Sequence, residues 1–176
     1  MKFLFRSHRW LLLMLASTAL AGTPVFAAEI ASEAALRAAL LFNFIKFTEW
    51  PAALASNQHL QVCISSNDPE LVSAMESINA RQVRGKAVLT VRYQQQTDCD
   101  VIYFDTPQRW NSLQGKHRTP HPLTVGGYTG FVDNGGMIEI DLKEGGTRFD
   151  INQGEAKRAG LRFYPQLLKL ARRIVE

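Results

Sequence analysis

PLTVGGYTGFVDNGGMIEIDLKEGGTRFDINQGEAKRAGLRFYPQLLKLARRIV, from Pro122 to Val175, is the stretch that decides the fold. Leu123 to Val125 forms a short apolar strand that enters a glycine-rich bend. Met137 to Leu142 and Thr147 to Ile151 alternate as the two strands of a hairpin around Glu144-Gly145-Gly146. Asn152 stands where a helix cap belongs, with Glu155 three residues on, and Gly160 stops that helix. Pro165 opens a last helix, with Leu167, Leu168, Leu170, Ala171 and Ile174 on its apolar side. Strong architecture without a catalytic constellation points to a protein that works by binding.

Upstream, strands alternate with helices. Glu33 to Thr48 has helical periodicity, with Leu36, Ala39, Leu40, Asn43, Ile45 and Phe47 on one broad side and Phe42 and Phe44 widening it. Trp50-Pro51 ends it, because the residue before proline disfavours helical geometry. Leu60 to Ile64 is a strand. Asp68, Pro69 and Glu70 then supply the cap, first residue and first-turn acid of a helix to about Asn79. Ala87 to Tyr93 and Val101 to Phe104 are further strands, joined by a link short enough for a hairpin or an abbreviated crossover. Asp105 and Pro107 open a helix to Leu113. The fold class expected is α/β: one layered domain with a mainly parallel sheet and a C-terminal β-hairpin.

The first 27 residues carry an address. Lys2, Arg6 and Arg9 form a basic start, Trp10 to Leu20 an apolar run, and Val25-Phe26-Ala27 a small-x-small cleavage site before Ala28. The run is about half of the ~20 residues that span a bilayer, and no twin-arginine pair precedes it. The chain is expected in the periplasm by the general secretory route, with 28–176 as the mature domain. The whole chain carries 20 basic and 16 acidic residues, a net charge of +4. Removing three basic residues leaves 17 against 16, so nucleic acid is not an expected partner. Lys169, Arg172 and Arg173 suit the negative end of a helix dipole as a solvated face.

Cys63 and Cys99 are the only cysteines. In an oxidising compartment two cysteines ordinarily pair, leaving two buried thiols or a redox-active thiol as alternatives, although no C-x-x-C is present. His117 and His121 are four apart, but Pro120 and Pro122 forbid the helix that would align them. Neither a metal nor a cofactor is expected. Asp105 at a strand's carboxyl end is read as a helix cap. Gly126, Gly127, Gly130, Gly135 and Gly136 match no phosphate-loop pattern and are read as turn residues with positive φ.

Together these segments resemble the YfiR family of periplasmic proteins. The resemblance is carried by LRAALLFNFIKFTEWP (36–51), Cys63, Asp98-Cys99-Asp100, Leu123-Thr124-Val125, Gly130-Phe131, Gly135-Gly136-Met137-Ile138, Arg148-Phe149-Asp150-Ile151-Asn152, Ala159-Gly160-Leu161 and Gln166-Leu167-Leu168. It implies a repressor that binds the periplasmic sensor region of an inner-membrane diguanylate cyclase and lowers cyclic di-GMP and biofilm formation. It also implies sequestration by an outer-membrane lipoprotein, a homodimer and a Cys63–Cys99 bond. A second cysteine pair, flanking the equivalent of Val132 to Glu139 in the best-known member, has no counterpart here. Phe149 and Asp150 fall in the family's partner-responsive segment, with Ile138 as their cross-strand neighbour. The competing expectation is a periplasmic small-ligand binder feeding a histidine kinase or outer-membrane receptor, with Tyr128 and Phe131 lining a pocket beside the bend. A thiol–disulfide enzyme is a third.

Overall fold

The computed structural model describes residues 31–51, 58–94, 97–113, 122–142 and 146–176. The expected signal segment, the His117–His121 pair and the hairpin tip Glu144-Gly145 lie outside them. The chain divides into two units, Met1–Ile30 and Ala31–Glu176, and the account below concerns the second.

An eight-stranded mixed sheet organises this unit. In chain order its strands are β2 (His59–Ser65), β3 (Gln82–Val83), β4 (Lys86–Arg92), β5 (Val101–Phe104), β6 (Leu123–Gly126), β7 (Ile138–Asp141), β8 (Arg148–Asn152) and β10 (Arg173–Val175). Their order across the sheet is β10-β8-β7-β6-β5-β2-β4-β3. Pairings β10–β8, β7–β6, β6–β5, β5–β2 and β2–β4 are parallel, while β7–β8 and β3–β4 are antiparallel. Two short strands, β1 (Thr48–Glu49) and β9 (Arg162–Phe163), pair antiparallel as a separate ribbon. Because β2 lies between β4 and β5, the link from Tyr93 to Asp100 is a crossover.

The helices are α1 (Glu33–Lys46), α2 (Pro69–Glu76), α3 (Pro107–Leu113), α4 (Gln153–Arg158) and α5 (Pro165–Leu168). Alternation in the strands splits the sheet into two faces. Val62, Ile64, Val101, Tyr103, Ile138, Ile140, Phe149 and Ile151 join the larger core, with α1, α2 and residues of α4 and α5. Cys63, Cys99, Ile102, Phe104, Trp110 of α3 and Phe131 form a second cluster. Helices on both faces explain why β2 and β5 read as continuous apolar runs.

Several local expectations hold at the atomic level. Asp68 accepts hydrogen bonds from Glu70 N (2.9 Å) and Leu71 N (3.3 Å), and Asn152 Oδ1 accepts one from Glu155 N (2.9 Å). Gly160 ends α4 with φ +74°. Cys63 and Cys99 are bonded, their Cα atoms 5.8 Å apart, beneath the aromatic cluster of α3.

Others are corrected. The buried face of α1 is Ala34, Ala38, Leu41, Phe42, Phe44 and Ile45, rotated from the expected side. Ala39 and Asn43 are exposed. Asp105, expected to cap α3, pairs with Arg109 one turn on (3.1 Å). The last helix stops after four residues at Leu168, and the chain leaves it to become edge strand β10. Leu170 and Ile174, expected on the helix's apolar side, are 72% and 42% exposed.

The glycines are also reinterpreted. Gly130 and Gly135 do have positive φ. Gly126 and Gly136 are required for a different reason: a Cβ there would lie 2.2 Å from Phe131 Cγ and 2.1 Å from Phe131 Cε1. The bend from Gly127 to Gly136 is wrapped around that ring. Phe131 is fully buried, its centroid 5.0 Å from Trp110 and 5.4 Å from Tyr128. Trp110 Nε1 donates to Asn134 O (3.0 Å). Phe131, expected to line a ligand pocket, is instead packed inside this cluster, with Tyr128 half-buried at its side.

Candidate functional site

Hairpin register sets the site. Ile138 faces Ile151, Glu139 faces Asp150, Ile140 faces Phe149 and Asp141 faces Arg148. Ile138 is therefore not the direct cross-strand neighbour of Phe149 or Asp150. On one face of the hairpin the alternating apolar residues enter the main core. On the other, Glu139, Asp141 and Asp150 concentrate acid, and all three are buried. Like charges directly opposite on paired strands repel, so this face needs cations.

The cations come from the C-terminal segment. Strand β10 adds parallel to β8 with Arg173 beside Asp150, and Arg172 N donates to Phe149 O (2.9 Å). Arg172 forks onto Asp150, Nε to Oδ1 at 2.8 Å and Nη2 to Oδ2 at 3.0 Å. Its Nη1 donates to Asp141 Oδ2 (2.7 Å). Arg173 Nε donates to Asp150 Oδ2 (3.0 Å), while its two terminal nitrogens reach Asp133 in the bend at 2.9 and 3.0 Å. The expectation of a solvated helix face at Arg172 and Arg173 is overturned: the two arginines close a lattice of three aspartates.

Burial opposes ionisation of Asp150, but the hydrogen bonds from Arg172 and Arg173 outweigh it and hold its carboxyl below the usual range. Asp133 is held low chiefly by Arg173. Bonds to Asp150 and Asp141 push Arg172 up, and bonds to Asp133 and Asp150 push Arg173 up.

Glu139 is the exception. It has no arginine. Its Oε2 instead accepts from the backbone N–H of Gly130 (3.0 Å) and Val132 (3.4 Å). Burial raises its carboxyl above the ordinary glutamate value, and Asp150 opposite adds to the rise against the lowering effect of those amides. The stretch from Val132 to Glu139, which lacks the resemblance's second cysteine pair, is thus tied by a hydrogen bond between its own ends. Asn152 adds a further tie, Nδ2 to Val132 O at 3.1 Å.

Of the residues singled out from sequence, Ile138, Phe149 and Asp150 are 0%, 7% and 2% exposed. Phe149 packs on Phe44 of α1, centroids 5.1 Å apart. Asp150 alone joins the charged lattice. The surface above it is Arg172, Arg173 and Asp133, whose side chains are 36%, 44% and 56% exposed. Sequence reasoning passed over Glu139, Asp133 and Asp141. The available signal was the I-E-I-D alternation of β7 opposite an Asp, which demands neutralising partners.

At the sheet's other end are two shallow grooves. One, of about 370 Å³, is lined by Lys46, Phe47, Gln82, Val83, Arg84, Tyr164 and Gln166. The second, of about 280 Å³, is lined by Trp50, Leu60, Val83, Arg84 and Lys86. Arg84 guanidinium lies 4.8 Å from the centre of the Tyr164 ring. Among the described residues no group of three or more His, Cys, Asp or Glu is placed to hold a metal ion, and no helix is long and apolar enough to cross a membrane.

A family model described as YfiR/HmsC-like matches residues 34–172. Among solved structures, a conserved domain protein from Vibrio cholerae O1 biovar eltor aligns with a TM-score of 0.50 at 16% identity, over 82% of this chain and 60% of that one. The chain thus spans about three fifths of that relative's length, and the likeness is one of fold. The ABC domain from Streptococcus pneumonia, solved in complex with L-Trp, aligns with a TM-score of 0.43 at 13% identity, over 66% of this chain and 55% of that one. A comparison with curated protein sequences returns no match.

Proposed function

This chain belongs to the YfiR/HmsC-like family, and from that premise we propose that it is a periplasmic binding regulator. In this reading it holds the periplasmic sensor region of an inner-membrane diguanylate cyclase in its inactive state, lowering cyclic di-GMP and biofilm formation. Repression acts by preferential binding of one sensor conformation. An outer-membrane lipoprotein that competes for the regulator relieves it, and the regulator works as a homodimer.

The observation that carries the reading is the charged lattice in the family's partner-responsive segment. Asp150 is buried, so it acts through the arginines it positions. Arg172, Arg173 and Asp133 form the outer layer a partner would meet. Phe149 and Ile138 support that layer from the core side.

Deleting the gene should raise cellular cyclic di-GMP and surface attachment, and restoring it should reverse both. Unchanged cyclic di-GMP, in a strain where a membrane cyclase is encoded alongside and expressed, would remove the proposal.

The second reading is a small-ligand-binding accessory protein. The grooves around Arg84 favour it, since they combine cations with Phe47, Trp50 and Tyr164. A histidine kinase or receptor gene alongside, with no cyclase, would select this reading.

A further inference from the structure

Glu139 sits at the junction of three parts of the fold: the glycine-rich bend, the hairpin and the C-terminal strand. Its Oε2 holds the bend through Gly130 N and Val132 N. Its cross-strand neighbour Asp150 holds the C-terminal strand through Arg172 and Arg173. Arg173 returns to the bend at Asp133. The bend and the C-terminal strand therefore meet through two carboxylates that face each other across one strand pair.

We propose that Glu139 is a proton-operated clasp, which grips the bend and the C-terminal strand together when neutral and relaxes that grip when ionised. The charged and titratable groups around it support one direction. From β8, Asp150 presents a negative charge directly opposite. From β7 itself, Asp141 lies two residues on, on the same side, with Arg148 of β8 opposite it. From the bend come Asp133, already committed to Arg173, and Tyr128, whose phenol is pushed up to about 12 by burial and by the Glu139 charge. Arg172 and Arg173 are spent on the aspartates. From β6, the register partner is Gly126, which brings no charge.

Among the described residues no cation is bonded to Glu139. A proton taken from solvent removes the repulsion with Asp150. The neutral carboxyl keeps an oxygen to accept from Gly130 N and Val132 N, more weakly than the carboxylate does, and relief of a buried, repelled charge outweighs that loss. Linkage gives the same sign. A carboxyl raised in the folded state favours the fold most at low pH, and that contribution is lost as pH rises through the raised value. Asp150, held low, keeps its own contribution until pH falls further. As pH falls, Glu139 therefore takes its proton before Asp150 does.

The device itself stands without a partner. Its effect on repression rests on the function proposed above, and the test separates the two. Amide hydrogen exchange of the isolated mature protein should show protection at 130–134 and 172–175 rising several-fold from about pH 7.5 to about pH 5, after correction for intrinsic rates. Glu139→Gln, which imitates the neutral form, should hold high protection at both values. A wild type with no pH response, or a Glu139→Gln chain with the wild-type response, overturns the proposal. Should that variant fold poorly, the Glu139 carboxyl can be titrated in the native protein by carbon NMR. Its midpoint should lie above the ordinary glutamate range and coincide with shifts of the Gly130 and Val132 amides; an ordinary midpoint, or amides that do not follow it, overturns the proposal equally. If the clasp responds to pH and cyclic di-GMP output does not depend on the protein at all, the function fails and the device stands.

Discussion

Arg172 approaches Asp150 side-on, with two parallel hydrogen bonds of 2.8 and 3.0 Å. This fork is the geometry in which guanidinium and carboxylate interact most strongly. Asp150 is 2% exposed and Arg172 36%, so the pair is half inside the protein. Its strength comes from shape, and its cost of desolvation falls on one partner.

Replacing Asp150 with Asn should therefore destabilise the fold by about 1–3 kcal/mol, since Arg172 and Arg173 lose a charge partner while keeping access to water. The native carboxyl is depressed, so its contribution is present above the ordinary aspartate value and lost as pH falls through the depressed one. Urea midpoints measured from about pH 6 to about pH 3 should fall for the native chain and change less for the variant. Parallel slopes would refute the assignment.

Gly126→Ala and Gly136→Ala should each cost about 1–3 kcal/mol, because the new methyl collides with the Phe131 ring. Neither glycine has positive φ, so the penalty is one of space. Adding Phe131→Leu should reduce the cost of each alanine, giving a favourable coupling in a double-mutant cycle. Additive effects would show that the ring is not the obstacle.

Cys63→Ser with Cys99→Ser should lower stability by about 4 kcal/mol, the chain-entropy value for a closure of this length. The bonded residues are 36 apart in sequence. Both are buried, so reductant should act slowly on the native chain and quickly on the denatured one. The comparison is of guanidinium midpoints with and without dithiothreitol.

Asn152→Ala removes a helix cap and the donor to Val132 O, and should cost about 2 kcal/mol. Asn152→Asp retains the acceptor for Glu155 N and loses only the donor. Its smaller loss, read from thermal unfolding, would apportion the two bonds. Equal losses would mean that the tie to Val132 carries the whole effect.

What could be read beforehand follows the range of the forces involved. Strand β5 was read with its observed bounds, and Asp68 and Pro69 placed the start of α2, because caps and apolar runs are local. Family membership and the α/β class followed from the order of such segments. The end of the chain was misread for the opposite reason. Leu167 to Ile174 has helical spacing, yet β8 offers a free edge and Asp141 and Asp150 offer charges that a helix there could not reach. Strands β1, β3 and β9 are two residues long, too short to show a period. The acids of β7, which alternate with its apolar residues, drew no reading from the sequence. They are covered by a bend and a strand whose positions only the tertiary structure defines.

Arg173 ties Asp150, 23 residues back, and Asp133, 40 residues back. Cys63 and Cys99 close 36 residues at the centre of the sheet. The chain is thus a pair of lassos, one knotted by a covalent bond and the other by charge. Their knots answer to different reagents: a reductant opens the first and leaves the second, while salt or strong acid does the reverse.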